Sequence, residues 1–412
     1  MSLLLFNSVI PKISAILFEY KWVILFYSLI VIWIYNNRKK FEFQAKIIAL
    51  YKTKIGIKFI EKIGSKYREL IRLIGYIGVG FAVFGMFFVS YTLVQAFYDL
   101  IFRPELPPAF GLVIPGVKIP GAPIFVPFWF GIISLFIVTL VHEFSHGIVA
   151  KAYNLDIKST GIAFFGPLIG AFVEPEEEQL KNEKDIVQYS IFSAGPISNI
   201  LLGVLVVVIL TIVLNPLLNS MIVPIGYSFD NLNASYPAYQ AGVTSDTLYN
   251  IVNSKKVDSA EEFMYEIELL RVNETVMIGN ENVTYSFLAA PHPDDQRKGF
   301  LGVYGVNTEY RILDKPLIRF FYPILEWISE LLKWIFMLSM GIGLANLLPL
   351  GPVDGGRILQ VALRKLKGDN KKGDDLWKKI SFIALFFILA AVFVPLLKNI
   401  IMAVLDMLIR FK

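Results

Sequence analysis

Five long apolar runs constrain the fold of this chain more than any other feature. They cover residues 73–97, 128–150, 191–214, 334–350 and 380–397. Each run has about the 17 to 25 residues that a helix needs to cross a bilayer. Hydrophobic residues make up 55% of the chain and the mean hydropathy is +0.59, both too high for an ordinary soluble protein. The sequence therefore predicts a membrane protein.

A shorter apolar stretch, residues 22–35, precedes these runs. It can span the bilayer only if the stretch from about Ile13 is included, with Glu19 and Lys21 near the interface. With this span, the predicted fold class is a multi-pass α-helical membrane protein with about six transmembrane helices. Because a basic cluster follows the stretch instead of preceding it, we do not expect an N-terminal signal peptide.

Basic residues predict how the spans are oriented. Residues 36–72 contain eleven Lys or Arg against three acidic residues, so we expect this segment on the cytoplasmic side. Its apolar residues, among them Leu50 and Phe59, stand between lysines. The segment is either amphipathic and bound to the anionic inner leaflet, or a solvated linker helix. Alternation of the spans puts the eight Lys or Arg of residues 354–379 on the same side, which agrees with the first segment.

The motif His142-Glu143-Phe144-Ser145-His146 lies at the end of the second apolar run, in a chain with only three histidines. Residues four apart share a helix face, so the two imidazoles can bind one ion, and imidazole is a good zinc ligand. Glu143 would lie beside the ion as a base toward water. Packing histidines are the alternative, but an unpaired carboxylate in hydrocarbon is strongly disfavoured. The motif predicts a metallohydrolase that works inside a bilayer.

A catalytic zinc site usually has a third protein ligand. The chain has no cysteine, and the candidate is Asp354. It follows Pro349, Gly351 and Pro352, which break the fourth apolar run at the membrane depth expected for His146. Asp354 could instead only cap the helix that follows it, and the two roles are compatible.

Residues 222–311 form a soluble-looking segment between the third and fourth runs. Residues 236–243 (YPAYQAGV) resemble the S-P-A-x-x-A-G-L turn and short helix of PDZ domains, and any other small α/β domain is the alternative. Segments 248–252 and 255–257 are predicted strands, 259–270 a helix, and 275–278 with 283–288 a hairpin. Alternation of the spans makes this domain extracytoplasmic.

The predicted domains are N-terminal spans with the basic amphipathic segment (1–127), a catalytic membrane core (128–221), the PDZ-like domain (222–311) and a second membrane core (312–412).

Three motifs together resemble the site-2 protease family of intramembrane zinc metalloproteases. They are H-E-x-x-H at 142–146, G-P-x-x-N at 195–199 and N-x-x-P-x-x-x-x-D-G at 346–355. The interposed PDZ-like domain makes the chain similar to the PDZ-containing branch of this family. Val353 stands where the family often has Leu before Asp-Gly.

The resemblance implies roles for individual residues. His142, His146 and Asp354 would be the zinc ligands, and Glu143 the catalytic acid and base. Asn199 and Asn346 would help to hold the substrate backbone, with interhelical hydrogen bonding as the alternative for both.

Residues 161–173 read as a short hairpin that turns at Gly166-Pro167 and resembles the family's re-entrant β-loop. A helical substrate hides its carbonyls in its own hydrogen bonds, so hydrolysis requires that it unwind. A free hairpin edge could then pair with the extended substrate. A cytoplasmic hairpin without substrate contact is the alternative.

The sequence therefore predicts an intramembrane zinc metalloprotease of the cell membrane that hydrolyses a peptide bond within or near a transmembrane segment of membrane-protein substrates. Its active site is expected toward the cytoplasm, its partners are the lipid bilayer and those substrates, and no nucleic acid is expected. By resemblance it serves regulated intramembrane proteolysis. A catalytically inactive homologue that binds membrane proteins is one alternative, although all expected catalytic residues are present. A transporter is the other, although no inverted repeat is visible.

Overall fold

A computed structural model of the chain describes residues 18, 20–44, 48–103, 106, 111, 113–119, 124–166 and 168–410. The α-helices are α1 Lys21–Asn36, α2 Ile57–Lys66, α3 Arg68–Phe102, α4 Phe128–Ala152, α5 Glu177–Asn182, α6 Asp185–Ile209, α7 Asn215–Asn219, α8 Pro237–Gln240, α9 Ala260–Ile267, α10 Pro316–Ala345, α11 Asp354–Lys367 and α12 Asn370–Arg410. The strands are β1 Phe41–Gln44, β2 Ile48–Thr53, β3 Ile157–Phe165, β4 Leu168–Pro175, β5 Ile222–Leu232, β6 Ile251–Val252, β7 Lys255–Lys256, β8 Thr275–Gly279, β9 Thr284–Leu288, β10 Ala290–Pro291, β11 Gly299–Phe300 and β12 Val303–Ile312. Arg38–Lys40 is a 3-10 helix, and Leu210–Leu214 is π-helical.

Within the described residues, five helical stretches are long and apolar enough to cross a membrane. Aromatic side chains such as Phe81, Phe84 and Phe87 of α3 are exposed, as expected where a helix contacts lipid. The five stretches match the five apolar runs, which confirms a chain suited to multiple membrane spans. The additional span stays a prediction, since α1 has 16 residues and its proposed extension falls largely outside the described residues. The stretches are Arg68–Phe102, Phe128–Ala152, Asp185–Asn219, Pro316–Ala345 and Asn370–Pro395.

The chain divides into two compact units, Leu210–Ser329 and the remainder, Met1–Ile209 with Glu330–Lys412. The larger unit contains a hydrophobic core shared by α3, α4, α6 and α11. Its most buried members include Ala82, Ala150 and Ile191. This core holds the motif-bearing helices against one another.

The larger unit also contains an antiparallel sheet in the order β1-β2-β3-β4. Strands β3 and β4 confirm the predicted hairpin; Gly166 lies in its turn at φ +55°, and Pro167 is outside the described residues. Strands β1 and β2 come from the basic segment 36–72, so a linker helix is wrong for those residues. Strand β2 pairs with β3 and buries Ala49 and Leu50, which a solvated helix could not do. Among the described residues of this segment, α-helix is confined to the end of α1 at Asn36, to α2, and to the start of α3 at Arg68.

The fourth apolar run ends as a helix at Ala345, five residues earlier than its composition suggests. The following segment, residues 346–353, is irregular and leads directly into α11 at Asp354. The Gly355 N–H donates to the Asn346 carbonyl at 2.7 Å, and the indole N–H of Trp377 donates to the Gly356 carbonyl at 2.8 Å. These bonds hold the start of α11 in place.

The smaller unit has its own core, centred on Tyr227, Tyr249 and Phe263. Strand β5 pairs with β12, and a second sheet has the order β7-β6-β8-β9. Helix α9 begins after Ser259, whose hydroxyl accepts the N–H of Glu262 at 3.2 Å. The predicted short helix, amphipathic helix and closing hairpin are confirmed here as α8, α9 and β8–β9, and the PDZ assignment stays a prediction.

Candidate metal centre

Helix α4 presents His142 and His146 on one face, with ring centroids 4.9 Å apart. Both rings point their Nε2 atoms at Oδ2 of Asp354, the first residue of α11, at 3.1 Å and 3.4 Å. One ligand atom from each of the three residues lies within 4.8 Å of the other two. The structure therefore brings together the three side chains that the sequence nominates as metal ligands.

The spacing of these donor atoms fits a zinc ion. Zinc bonds to nitrogen and oxygen ligands are about 2.0–2.1 Å long, so two ligands at a tetrahedral angle lie about 3.4 Å apart. The two imidazole–carboxylate separations, 3.1 Å and 3.4 Å, are close to that value. Among the described residues the donor set is two imidazoles and one carboxylate, and three protein ligands are typical of catalytic zinc sites.

The hydrogen bonding of His146 also favours a cation. Its Nδ1 lies 2.6 Å from the carbonyl oxygen of Ile191, and because a carbonyl only accepts, Nδ1 carries the hydrogen. In the neutral ring, Nε2 then carries no hydrogen, and its lone pair faces a carboxylate oxygen of Asp354 3.4 Å away. A metal ion between these two acceptors converts a repulsive contact into two bonds.

Gly195 allows α6 to approach both imidazoles. A Cβ at this position would lie 2.5 Å from His142 Nε2 and 2.6 Å from His142 Cε1, and would also contact Nε2 of His146. The next residue, Pro196, lacks an N–H and so leaves the Phe192 carbonyl without its helical partner. The glycine-proline pair thus makes α6 the wall of the metal centre.

Glu143 lies between the ligands on α4 and faces the edge of β4. Its Oε2 accepts the backbone N–H of Val173 at 3.3 Å, and one turn earlier Thr139 Oγ1 accepts the N–H of Ala171 at 3.1 Å. The outward N–H groups of β4 at these two residues are therefore bonded to α4 in this structure. The predicted strand edge is next to the candidate base, and its N–H groups at residues 171 and 173 are not free.

A cavity of about 470 Å³ opens at this point. It is lined by the three candidate ligands, Glu143, Asn346, parts of β2 and β4, and Arg357. Glu174 lies on its wall, and the hydroxyl of Ser159 lowers the pKa of that carboxyl, with Lys52 acting in the same direction. The cavity combines apolar walls with charged groups and has room for a stretch of peptide.

The two asparagines lie in different surroundings. Asn346 lines the cavity, and its Nδ2 donates to the Ile342 carbonyl at 3.0 Å. Asn199 is fully buried on α6, with Nδ2 at 3.1 Å from Nδ1 of His142. The sequence predicts the same substrate-binding role for both asparagines, but in the structure one lines the cavity and the other is buried against a candidate ligand.

Sequence reasoning missed several contributors. Thr139 could have been found, since it lies four residues before Glu143 on the same helix face. The contacts made by Val173 and by the carbonyl of Ile191 depend on how separate elements pack, so no local pattern signals them.

Comparison with known proteins gives three findings. The family model described as Peptidase family M50 matches residues 130–390, a range that includes all three candidate ligands. An uncharacterized protein of Methanocaldococcus jannaschii is 30% identical over 351 residues, which cover 79% of this chain and 81% of that protein. A protein of Brucella suis named "putative zinc metalloprotease" is 38% identical over 60 residues, 14% of this chain and 15% of its own, and a protein of Brucella melitensis with the same description matches equally.

Proposed function

The chain belongs to Peptidase family M50, the site-2 protease family, and on this premise we propose that it is an intramembrane zinc metalloprotease. Its substrates are membrane proteins, and it hydrolyses a peptide bond within or near their transmembrane segments. The observation that carries the proposal is the convergence of His142, His146 and Asp354 beside Glu143. The two histidines and Glu143 lie on α4, a helix apolar enough to lie in a bilayer.

His142, His146 and Asp354 would hold the zinc. When bound, zinc supplies a Lewis acid that polarises the scissile carbonyl and makes water more acidic. Glu143 accepts the proton of the attacking water and then gives it to the leaving amine nitrogen.

The substrate must reach this site as an extended chain. We propose that it lies along β4, where the backbone N–H of Val173 and the carbonyls on the same edge can pair with it. The bonds of Val173 to Glu143 and of Ala171 to Thr139 would then be exchanged for bonds to substrate. Asn346, on the cavity wall, is the side chain proposed to hold the substrate backbone.

Location and regulation belong to the same proposal. The positive charge of residues 36–72 and 354–379 favours a cytoplasmic active site and an extracytoplasmic unit around residues 222–311. We propose that this unit is PDZ-like, controls substrate access without doing chemistry, and makes the enzyme part of a regulated proteolytic step.

The test is cleavage of a single-span peptide in proteoliposomes, with the cut site mapped by mass spectrometry. Glu143→Gln should keep its zinc, but its cleavage rate should fall by at least the ~10²–10⁴-fold typical of losing a general acid/base. The reason is that an amide cannot accept the proton. Glu178→Gln, the same change at an exposed site on α5, should cleave normally. Cleavage by Glu143→Gln at the wild-type rate would remove Glu143 from the mechanism. A zinc-loaded wild type that cleaves no membrane peptide would favour an inactive homologue, and solute flux would favour a transporter.

A further inference from the structure

Asn199 is a buried polar residue on α6 next to the metal centre. Its exposed fraction is 0%, and its Nδ2 lies 3.1 Å from Nδ1 of His142, the ring nitrogen that faces away from Asp354. Its Oδ1 is also buried and has no hydrogen-bond partner among the described residues. A buried acceptor without a donor has lost its hydrogen bonds to water and gained none in return, so this arrangement needs an explanation.

The tautomer of His142 explains why an acceptor lies here. For Nε2 to bind a metal, the neutral ring must carry its hydrogen on Nδ1, and that N–H needs an acceptor. The nitrogen and oxygen of an asparagine amide are assigned from hydrogen bonding, because their shapes are nearly the same. Exchanging them turns Oδ1 toward Nδ1–H, which gives the orphaned oxygen its donor and the imidazole its acceptor.

We propose that Asn199 is a positioning residue whose Oδ1 accepts the Nδ1–H of His142 and thereby holds Nε2 toward the zinc. The proposal rests on the metal centre of the proposed function. It replaces the substrate-binding role that the sequence suggests for Asn199, and it leaves that role to Asn346.

The fold holds the backbone of Asn199 in place beside His142. Ser339 of α10, which is itself fully buried, donates its hydroxyl to the Asn199 backbone carbonyl at 2.7 Å. Gly343, one turn later on α10, is packed so closely that an added Cβ would lie 3.2 Å from the Cβ of Asn199 and 3.1 Å from the Pro196 carbonyl. Helix α10 thus clamps the turn of α6 that carries the asparagine.

Helix α6 then provides a hydrogen-bond acceptor to the Nδ1–H of each histidine. The Ile191 carbonyl accepts the Nδ1–H of His146, and Asn199, about two turns later, accepts that of His142. Acceptors of this kind fix the tautomer and ring orientation of metal-bound imidazoles, and their loss typically costs 10–100-fold in metal affinity.

Zinc affinity, measured by competition with a chromophoric chelator, tests the proposal without reference to proteolysis. Asn199→Leu keeps the shape but removes the acceptor, so zinc affinity should fall about 10–100-fold. Asn199→Asp keeps an acceptor and should restore wild-type affinity. Ser193→Ala is the matched control, because it removes another buried polar group of α6 whose hydroxyl donates only to the Ser190 carbonyl. Its zinc affinity should not change.

Two results would overturn the proposal. The first is equal zinc affinity in Asn199→Leu and Ser193→Ala. The second is a higher KM for substrate in Asn199→Leu with unchanged zinc affinity, as a substrate-binding role requires. A wild type that binds no zinc would overturn the metal centre as well, so the two failures are distinguishable.

Nuclear magnetic resonance gives a second readout, and its main result comes from the wild-type protein. The chain has three histidines, so ¹⁵N-histidine labelling yields a spectrum simple enough to assign. In the zinc-loaded wild type, His142 and His146 should each carry hydrogen on Nδ1 and none on Nε2. The His142 Nδ1–H signal should shift in Asn199→Asp while that of His146 stays. Hydrogen on Nε2 of His142 in the zinc-loaded protein would contradict the proposal.

Discussion

Gly195→Ala perturbs the metal centre through its wall and leaves every proposed ligand in place. The new Cβ would lie 2.5 Å from His142 Nε2 and 2.6 Å from His142 Cε1, and would also press on His146. Ordinary contacts between heavy atoms are about 3.5–4.0 Å, so the ring of His142 or the α6 backbone must move by about 1 Å. Both atoms belong to a buried ring, which cannot swing away as a surface side chain could.

Metal sites do not tolerate a shift of that size. Ligand distances hold to within about ±0.2 Å, so a displacement of about 1 Å removes at least one ligand from its bonding position. Since loss of an outer hydrogen bond alone costs 10–100-fold in metal affinity, we expect Gly195→Ala to exceed the upper end of that range. Cleavage should fall in parallel with zinc content.

The assay is zinc retention during a chelator titration, alongside the thermal midpoint of the metal-free protein. Gly341→Ala on α10 and Gly80→Ala on α3 are matched controls, since an added Cβ meets nothing within 4 Å at either position. Alanine is the better helix former by about 1 kcal/mol, so both controls should keep their zinc and lose no stability. Equal zinc affinity in Gly195→Ala and Gly341→Ala would refute the reasoning.

Two other predictions concern the strand edge and the smaller unit. Val173→Pro removes an N–H that faces Glu143, so cleavage should fall while zinc content holds. Phe172→Pro removes an N–H that faces β3, so it should lower the thermal midpoint further than Val173→Pro does. Equal behaviour of the two variants would count against substrate pairing at β4. Residues 223–311 can be replaced by a short linker, because Ile222 pairs with Ile312. The excised protein should still cleave a short, pre-trimmed substrate, and its cleavage of a long substrate should persist or rise. Loss of activity on both substrates, with the spans still folded, would contradict a role in substrate access.

The sequence was sufficient for the features that local patterns encode. Hydropathy located the five apolar stretches, and the spacing of His142 and His146 required only that one helix present both rings. Asp354 could be nominated because prolines and glycines end the preceding helix close to it. In each case the signal lies within a few turns of chain.

The remaining features depend on contacts between distant segments. Strands β1 and β2 lie among lysines and read as an amphipathic helix. Only the pairing of β1 with β2 and of β2 with β3 makes them strands. Asn199 reads equally well as a substrate ligand or an interhelical bond, because its neighbour His142 is brought close by the packing of α4 on α6. Gly195-Pro196 reads locally as a turn signal, and only the packing of α6 on α4 makes it a close approach inside a helix.

X-ray absorption at the zinc edge of the purified protein tests the central claim most directly. The account predicts one zinc per chain with two imidazole nitrogens at about 2.0–2.1 Å and oxygen ligands at about 2.0–2.2 Å. In a His146→Ala variant, one imidazole should disappear from the spectrum or the zinc should be lost. Full zinc occupancy with an unchanged two-imidazole spectrum in that variant would contradict the assignment of His142, His146 and Asp354 as the metal site.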